Sequence, residues 1–435
     1  MMTYSAGAAS DLAERAIGSV VVTTLVPSCE VVLLWRLRGV SIALRDKCAA
    51  ALSPSVRSPG HCLPRPLTLG ESIAGMGSGS SAVLDWASLK WSPHSVGASL
   101  GHGGSLAACT RSGRQGNEVF VCGGERMVPK PADFSDDEFD HTQYGREKPM
   151  DEDASACTLN LSTSQVLQLD DMPPSAADVE SVEPHMVRQY GPGKLSHDGG
   201  RESHAVCPLA DGSVVVMGGS AYTRWLATVP DFDDGTYPGR LSGVARIQWN
   251  DDGTHTWTAA RSMLFPRCKF AAATLPDGYR VAVAGGYAGK TLTNAEIFDV
   301  RMDTWLPLPQ LSVPRDNVCG CVVQAGELRG CFVVIGGRHN SPHAELPAGV
   351  SKEMMYKTCE FLKHDESGWE ELPPLNIGRY GASCVAIGPH ILVVGGFNCS
   401  IASQTSELYD PVRRRWLLLP EQPYSSSFRA LVLGN

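Results

Sequence analysis

Membrane-length apolar runs are missing from this chain. The nearest approach, SVVVTTLVPSCEVVLLW, is broken by Pro27 and Glu30, so it is too interrupted to span a bilayer. It also follows Asp11 and Glu14 and has no clean small-residue cleavage site, which makes it a poor signal peptide. These absences predict a soluble intracellular protein, cytoplasmic or nuclear, with no membrane partner. A dense basic patch is missing too. Residues 1–67 hold seven Lys/Arg against four Asp/Glu, too few and too scattered to follow a phosphate backbone, and nucleic acid is excluded as a ligand.

Catalytic and metal signatures are equally scarce. Among 14 cysteines only Cys319 and Cys321 stand close together, with no matching Cys/His pair at zinc spacing, so no metal and no cofactor is assigned. The others sit in apolar runs such as VFVCGG and GASCVAI, where cysteine behaves as a small hydrophobe, which predicts free buried thiols in a reducing compartment. There is no Gly-x-Ser-x-Gly elbow and no phosphate-binding glycine loop. The 12 histidines are scattered, and His339, His343, His364 and His390 read as loop residues. No catalytic residue is assigned.

Glycine (45) and proline (29) are plentiful in the 435 residues, which favours a turn-rich, all-β body. An apolar run ends in a double glycine five times, at Gly124, Gly219, Gly286, Gly337 and Gly396. The gaps are 95, 67, 51 and 59 residues, so a unit of roughly 50 recurs with insertions. Each copy continues into a strand and then a second strand, which carries tryptophan in AEIFDVRMDTWLPLP and SELYDPVRRRWLLLP. Another strand, often opened by arginine, precedes the glycines, as in PRCKFAAATL and GRYGASCVAI. Four short strands per unit are what a propeller blade needs.

Over residues 71–435 these features resemble the kelch-repeat family, which implies a kelch β-propeller. The C-terminal SSSFRALVLGN reads as a first strand without followers, and ESIAGMGSGSSAVLDWASLKWSPH as followers without a first strand. Together they predict six blades, the last closed by both chain ends, which removes two exposed sheet edges.

Residues 1–50 predict a small α-helical segment: Leu33, Leu34, Leu37, Val40, Leu44 and Cys48 recur at helical spacing. Leu37, Arg38, Val40 and Ser41, in the order Leu-Arg-x-Val-Ser, resemble the Leu-x-Arg-x-Val-Ser stretch of an F-box with the leucine one place nearer, although Gly18 stands where that pattern has proline. The segment therefore resembles an F-box joined by a Pro-rich linker, residues 51–70, to a kelch propeller. The resemblance implies a substrate-recognition subunit of an SCF-type cullin-RING ubiquitin ligase, not an enzyme. Leu25, Leu34, Leu37, Val40 and Leu44 would then contact a Skp-family adaptor. A kelch scaffold without a ubiquitin role, and a kelch enzyme acting on a sugar or small molecule, are the alternatives.

Arg201, Arg267, Arg315, Arg379 and Arg429 all stand at the start of a unit's first strand. Rotational repetition would gather them into a ring on one face, where guanidinium groups could pair with a target's acidic motif and Tyr380 could stack on it. The bland alternative keeps them inside the propeller, bonded to its own carbonyls and carboxylates. The segment 131–153 holds nine Asp/Glu against Arg146 and Lys148 and reads as a charged loop inserted after the first double glycine.

Overall fold

A computed structural model describes residues 65–70, 81–85, 90–94, 107–110, 118–127, 150–152, 155–160, 163, 165–173, 200–220, 240–339, 355–398, 401–402, 404–419, 421 and 428–433. The F-box-like segment, with Leu25, Leu34, Leu37, Val40 and Leu44, lies outside the described residues, as does most of the acidic segment 131–153.

No helix occurs among the described residues, whose strands form six four-stranded antiparallel sheets and two short ribbons. Each sheet runs in order through strands a, b, c and d. Sheet one comprises Ala107–Thr110, Glu118–Cys122, Ala156–Asn160 and Gln165–Leu169. Sheet two comprises Ala205–Pro208, Val214–Met217, Val244–Trp249 and His255–Ala260. Sheet three comprises Ala271–Thr274, Arg280–Ala284, Ala295–Asp299 and Thr304–Leu308. Sheet four comprises Cys319–Val322, Phe332–Ile335, Cys359–Leu362 and Trp369–Leu372. Sheet five comprises Ser383–Ile387, His390–Val394, Ser406–Asp410 and Arg415–Leu419. Sheet six takes its strand a from Phe428–Leu433 and its others from Arg65–Gly70, Ser81–Asp85 and Lys90–His94. Each a strand neighbours the a strands of the sheets before and after it, from one round to six and back to one. The architecture is an all-β propeller.

The b strands are largely apolar because both faces of each sheet are covered by neighbouring sheets: Val214–Met217 and Phe332–Ile335 are buried at every position. The d strands form the outer rim and alternate, Thr304–Leu308 burying only Trp305 and Leu308. The core therefore lies between sheets. Phe298 and Trp305 of sheet three, for example, pack with Val215 and Met217 of sheet two.

Two readings are corrected here. Arg65–Gly70 was assigned to the linker 51–70, yet it pairs along its whole length with Phe428–Leu433, from Arg65 opposite Leu433 to Gly70 opposite Phe428. The C-terminal strand needs a hydrogen-bonded partner, and the alternating Leu67 and Leu69 supply one despite Pro66. His390, read as a loop residue, opens strand b of sheet five with 3% exposure. Its Nδ1 lies 3.0 Å from the Tyr409 carbonyl.

The double glycines mark close approaches between sheets. Gly285 has φ +69°, and a Cβ there would lie 2.6 Å from the Arg315 carbonyl oxygen of the next sheet. Gly253, in a tight turn at φ +87°, would meet nothing within 4 Å. Left-handed strain alone costs roughly 1–2 kcal/mol for alanine, so Gly253→Ala should lose about that amount. Gly285→Ala adds a clash with backbone that cannot yield, and a loss of about 3 kcal/mol or more is expected. Urea unfolding of the two variants checks the ranking.

Candidate functional site

The topology sorts the connections into two ends. The a-to-b and c-to-d turns lie at one end and are short, such as 275–279 and 300–303 in sheet three. The b-to-c and d-to-a connections start and finish at the other, and the four longest are of these kinds: 123–155, 170–204, 218–243 and 336–358. Insertions confined to one side of a repeat array mark its variable, binding side.

Arg267, Arg315 and Arg379 sit just beneath this end, and each is fully buried. Nη1 of Arg315 donates to the Gly336 and Thr358 carbonyls at 2.9 and 3.0 Å, and its Nη2 donates to Glu360 at 2.8 Å. Arg267 repeats the pattern on Gly285, Asn294 and Glu296, and Arg379 on Gly395, Thr405 and Glu407. Arg201 donates to the Gly218 and Gly243 carbonyls at 3.2 Å each, and Ala245 occupies the position of the glutamates. Each glutamate also accepts backbone N–H groups from the segment arriving from the preceding sheet, Leu264 on Glu296, Ser312 on Glu360 and Asn376 on Glu407. Burial pushes the Glu296 carboxyl up and the Arg267 guanidinium down, and each opposes that shift in the other.

The arginine carbonyls complete the joint. Gly124, Gly219, Gly286 and Gly337 donate their N–H to the carbonyls of Arg201, Arg267, Arg315 and Arg379 respectively, each in the following sheet, at 2.9–3.0 Å. At the rim the tryptophans do the same work. Nε1 of Trp257, Trp305, Trp369 and Trp416 donates to the carbonyls of Asp170, Arg261, Pro309 and Pro373, on the segment leaving the preceding sheet.

The expectation that Arg201, Arg267, Arg315 and Arg379 contact a target is therefore corrected: a guanidinium with at most 1% exposure, committed to its own sheet, has no surface to offer. The bland alternative describes them. Arg429 lies in strand a of sheet six, its backbone opposite Leu69.

The side chains partly open to solvent at this end, Lys269, Tyr287, Arg338 and Tyr380, follow the arginines and the glycine pairs within one or two residues. Glu202, Cys268, Asp316 and Tyr380, each directly after its arginine, bridge to Ser220, Tyr287, Arg338 and Phe397, each directly after a double glycine. Arg338 is 30% exposed and ion-paired to the buried Asp316 at 3.2 Å. Its guanidinium carbon lies 4.4 Å from the centroid of the Tyr380 ring, which stacks on Phe397 at 5.5 Å. Arg240 reaches across a sheet boundary in the same way, 5.1 Å from the Tyr287 centroid. Burial pushes the Asp316 carboxyl up, and Arg338 and Lys269 oppose it. Tyr380, named from the sequence, is thus half-buried beside Arg338. Arg240, Lys269, Tyr287 and Arg338 were missed, although the residue after each double glycine is a position the repeat itself points to.

Ten cysteines lie among the described residues, nine buried and Cys384 half-buried. Among the described residues no group of three His, Cys, Asp or Glu could hold a metal ion, and no helix is long and apolar enough to cross a membrane.

The fold and its joints define a class, a β-propeller whose blades are joined by arginine, double glycine and tryptophan. Residues 378–423 match the Kelch motif, and parts of the chain are similar to F-box/kelch-repeat proteins. It is 30% identical over 182 residues to an F-box/kelch-repeat protein of Arabidopsis thaliana, covering 39% of this chain and 40% of that one. It is 29% identical over 242 residues to the F-box/kelch-repeat protein SKIP30 of the same plant, covering 52% and 62%. Human Kelch-like protein 34 is 25% identical over 224 residues, covering 51% and 31%. The matches thus span less than two thirds of these relatives' lengths. The solved structure titled "Structure of YjhT" superposes with TM-score 0.53 at 12% identity, covering 78% of this chain and 91% of that one, a likeness of fold alone.

Removing Arg379 should strand Glu407 as a buried, unpaired carboxylate and cost about 3–5 kcal/mol of stability. Arg338→Ala removes a partly exposed cation from the buried Asp316, whose carboxyl still faces Lys269, so a smaller loss of about 1–3 kcal/mol is expected. Thermal and urea unfolding of both variants tests this; equal losses would undo the division between buried joint and outward face.

Proposed function

We propose that this protein is a non-catalytic target receptor of an SCF-type cullin-RING ubiquitin ligase, working in the cytoplasm or nucleus. The F-box-like segment docks on a Skp-family adaptor through Leu25, Leu34, Leu37, Val40 and Leu44. The propeller, with six blades and the sixth closed by both chain ends, holds the target, and ubiquitin transfer belongs to other subunits. The observation that carries this reading is that the four longest connections start and finish at the one end that also bears Arg240, Lys269, Arg338 and their aromatic neighbours. An end that bears these cations and aromatics suits a protein segment bearing acidic residues. Tyr380 and Arg338 contact it there, and Arg429 remains a candidate on sheet six.

A second reading, a kelch interaction scaffold without a ubiquitin role, is favoured by the likeness to Kelch-like protein 34, whose name carries no F-box. One experiment separates them. The full chain, a Leu34→Asp/Leu37→Asp variant and a chain beginning at residue 60 are each offered to a purified Skp-family adaptor in a pull-down. Retention of the intact chain alone is expected. Absence of retention by all three would leave the scaffold.

A further inference from the structure

The a strands stand side by side around the propeller axis, and residues along each one alternate between the boundaries with the preceding and the following sheet. In Cys319–Val322 the glycine fixes the direction. A Cβ on Gly320 would lie 2.9 Å from the Ala271 Cβ, so this position faces sheet three, and Cys319 and Cys321 on either side of it face sheet five. Both pack there in one cluster with Ala382, Ala386 and Val393 of sheet five, and Cys384 lies against that cluster.

Cys384 stands five residues after Arg379, as Gly320 stands five after Arg315, so it is level with Gly320 and points back between the two sheet-four cysteines. Its thiol hydrogen-bonds with those of Cys319 and Cys321. Packing does not call for sulfur here: the same three positions hold Ala205, Cys207 and Ala272 between sheets two and three, and Ala271, Ala273 and Gly320 between sheets three and four. Small residues of any kind fit, yet only between sheets four and five are all three cysteine.

Cys384 is half-buried while the other nine described cysteines are buried, so solvent reaches the cluster through it. The contacts with Cys319 and Cys321, and burial, push its thiol up. A thiol held protonated reacts slowly, so the cluster answers sustained exposure to an oxidant and not a brief pulse.

We infer that Cys384, Cys319 and Cys321 form an oxidation site at which a hydroperoxide creates a disulfide between sheets four and five. With hydrogen peroxide, the Cys384 sulfur attacks one oxygen, the O–O bond breaks, and a sulfenic acid forms while the thiol proton leaves with the other oxygen as water. The sulfur of Cys319 or Cys321 then attacks the Cys384 sulfur. An S–S bond forms, and the hydroxyl leaves as a second water with the proton of the attacking thiol. Two thiols give up two electrons and the peroxide takes them. The third thiol stays reduced beside the bond and can exchange into it, and a dithiol restores the starting state. The boundary so locked is the one that Arg338 of sheet four and Tyr380 of sheet five bridge. The inference stands apart from the ligase reading.

The test incubates the reduced full chain with hydrogen peroxide for hours, blocks remaining thiols with N-ethylmaleimide and maps disulfides by mass spectrometry of unreduced peptides. Cys384 should be joined to Cys319 or Cys321, dithiothreitol should reverse the link, and oxidation should raise the melting temperature by at least about 3 °C. Cys384→Ala should abolish both link and rise. Cys319→Ala and Cys321→Ala should each keep the link through the remaining thiol, and the double variant should lose it. Ala271, Ala272 and Ala273 fill the equivalent positions of sheet three, so these variants keep the fold. Recovery of Cys384 blocked by maleimide, or as sulfinic or sulfonic acid, overturns the inference, as does a Cys319–Cys321 disulfide in its place.

Discussion

The structure depends on one joint: the buried arginine that closes each of sheets two to five onto its neighbours. Its guanidinium satisfies carbonyls at the glycine pair and at the start of strand c, and in sheets three to five it neutralises a glutamate on strand c. Its own carbonyl then accepts the N–H of the preceding sheet's second glycine. Arginine suits this place because its planar fork serves several acceptors at once and stays charged when buried. Glycine suits its place because any side chain there would strike the arginine carbonyl. Neither residue works without the other, so they recur together.

Because this joint is internal, the outward end is relieved of structural duty. Connections there lengthen without disturbing the sheets, and the positions after each glycine pair vary freely: Ser220, Tyr287, Arg338 and Phe397 occupy the same backbone site with four different chemistries. The opposite end has no such freedom, since its turns only reverse the chain between paired strands. Division of labour within each unit thus turns a repetitive scaffold into a face of individual character.

The sequence disclosed the strands and their grouping because glycine pairs, apolar b strands and rim tryptophans each have one physical use in this architecture. It misdirected the reading of the arginines. Recurrence at a fixed place in each unit located them at the correct end, but spacing carries no information on whether a side chain points outward or folds under the glycine carbonyls. The partner glutamates Glu296, Glu360 and Glu407 could have settled this, for they recur on strand c at the position that Ala245 fills in sheet two. Lys269 and Arg338 escaped notice for the opposite reason: residues that give a face its specificity do not repeat. Arg65–Gly70 was hidden by Pro66 and shows itself as a strand only through its pairing with the far end of the chain.

The central claim is that the arginine and glycine joint binds the sheets into one cooperative unit beneath a variable face. Hydrogen exchange of the full chain, resolved by residue, measures this most directly, because amides that open only with the whole fold exchange slowest. The account predicts that the amides of Gly219, Gly286 and Gly337 exchange at the rate of global unfolding, together with the b strands, while those of Leu264 and Phe265 exchange faster. Exchange of the glycine amides at the rate of the surrounding loops would contradict it, showing that the sheets are joined by apolar packing alone.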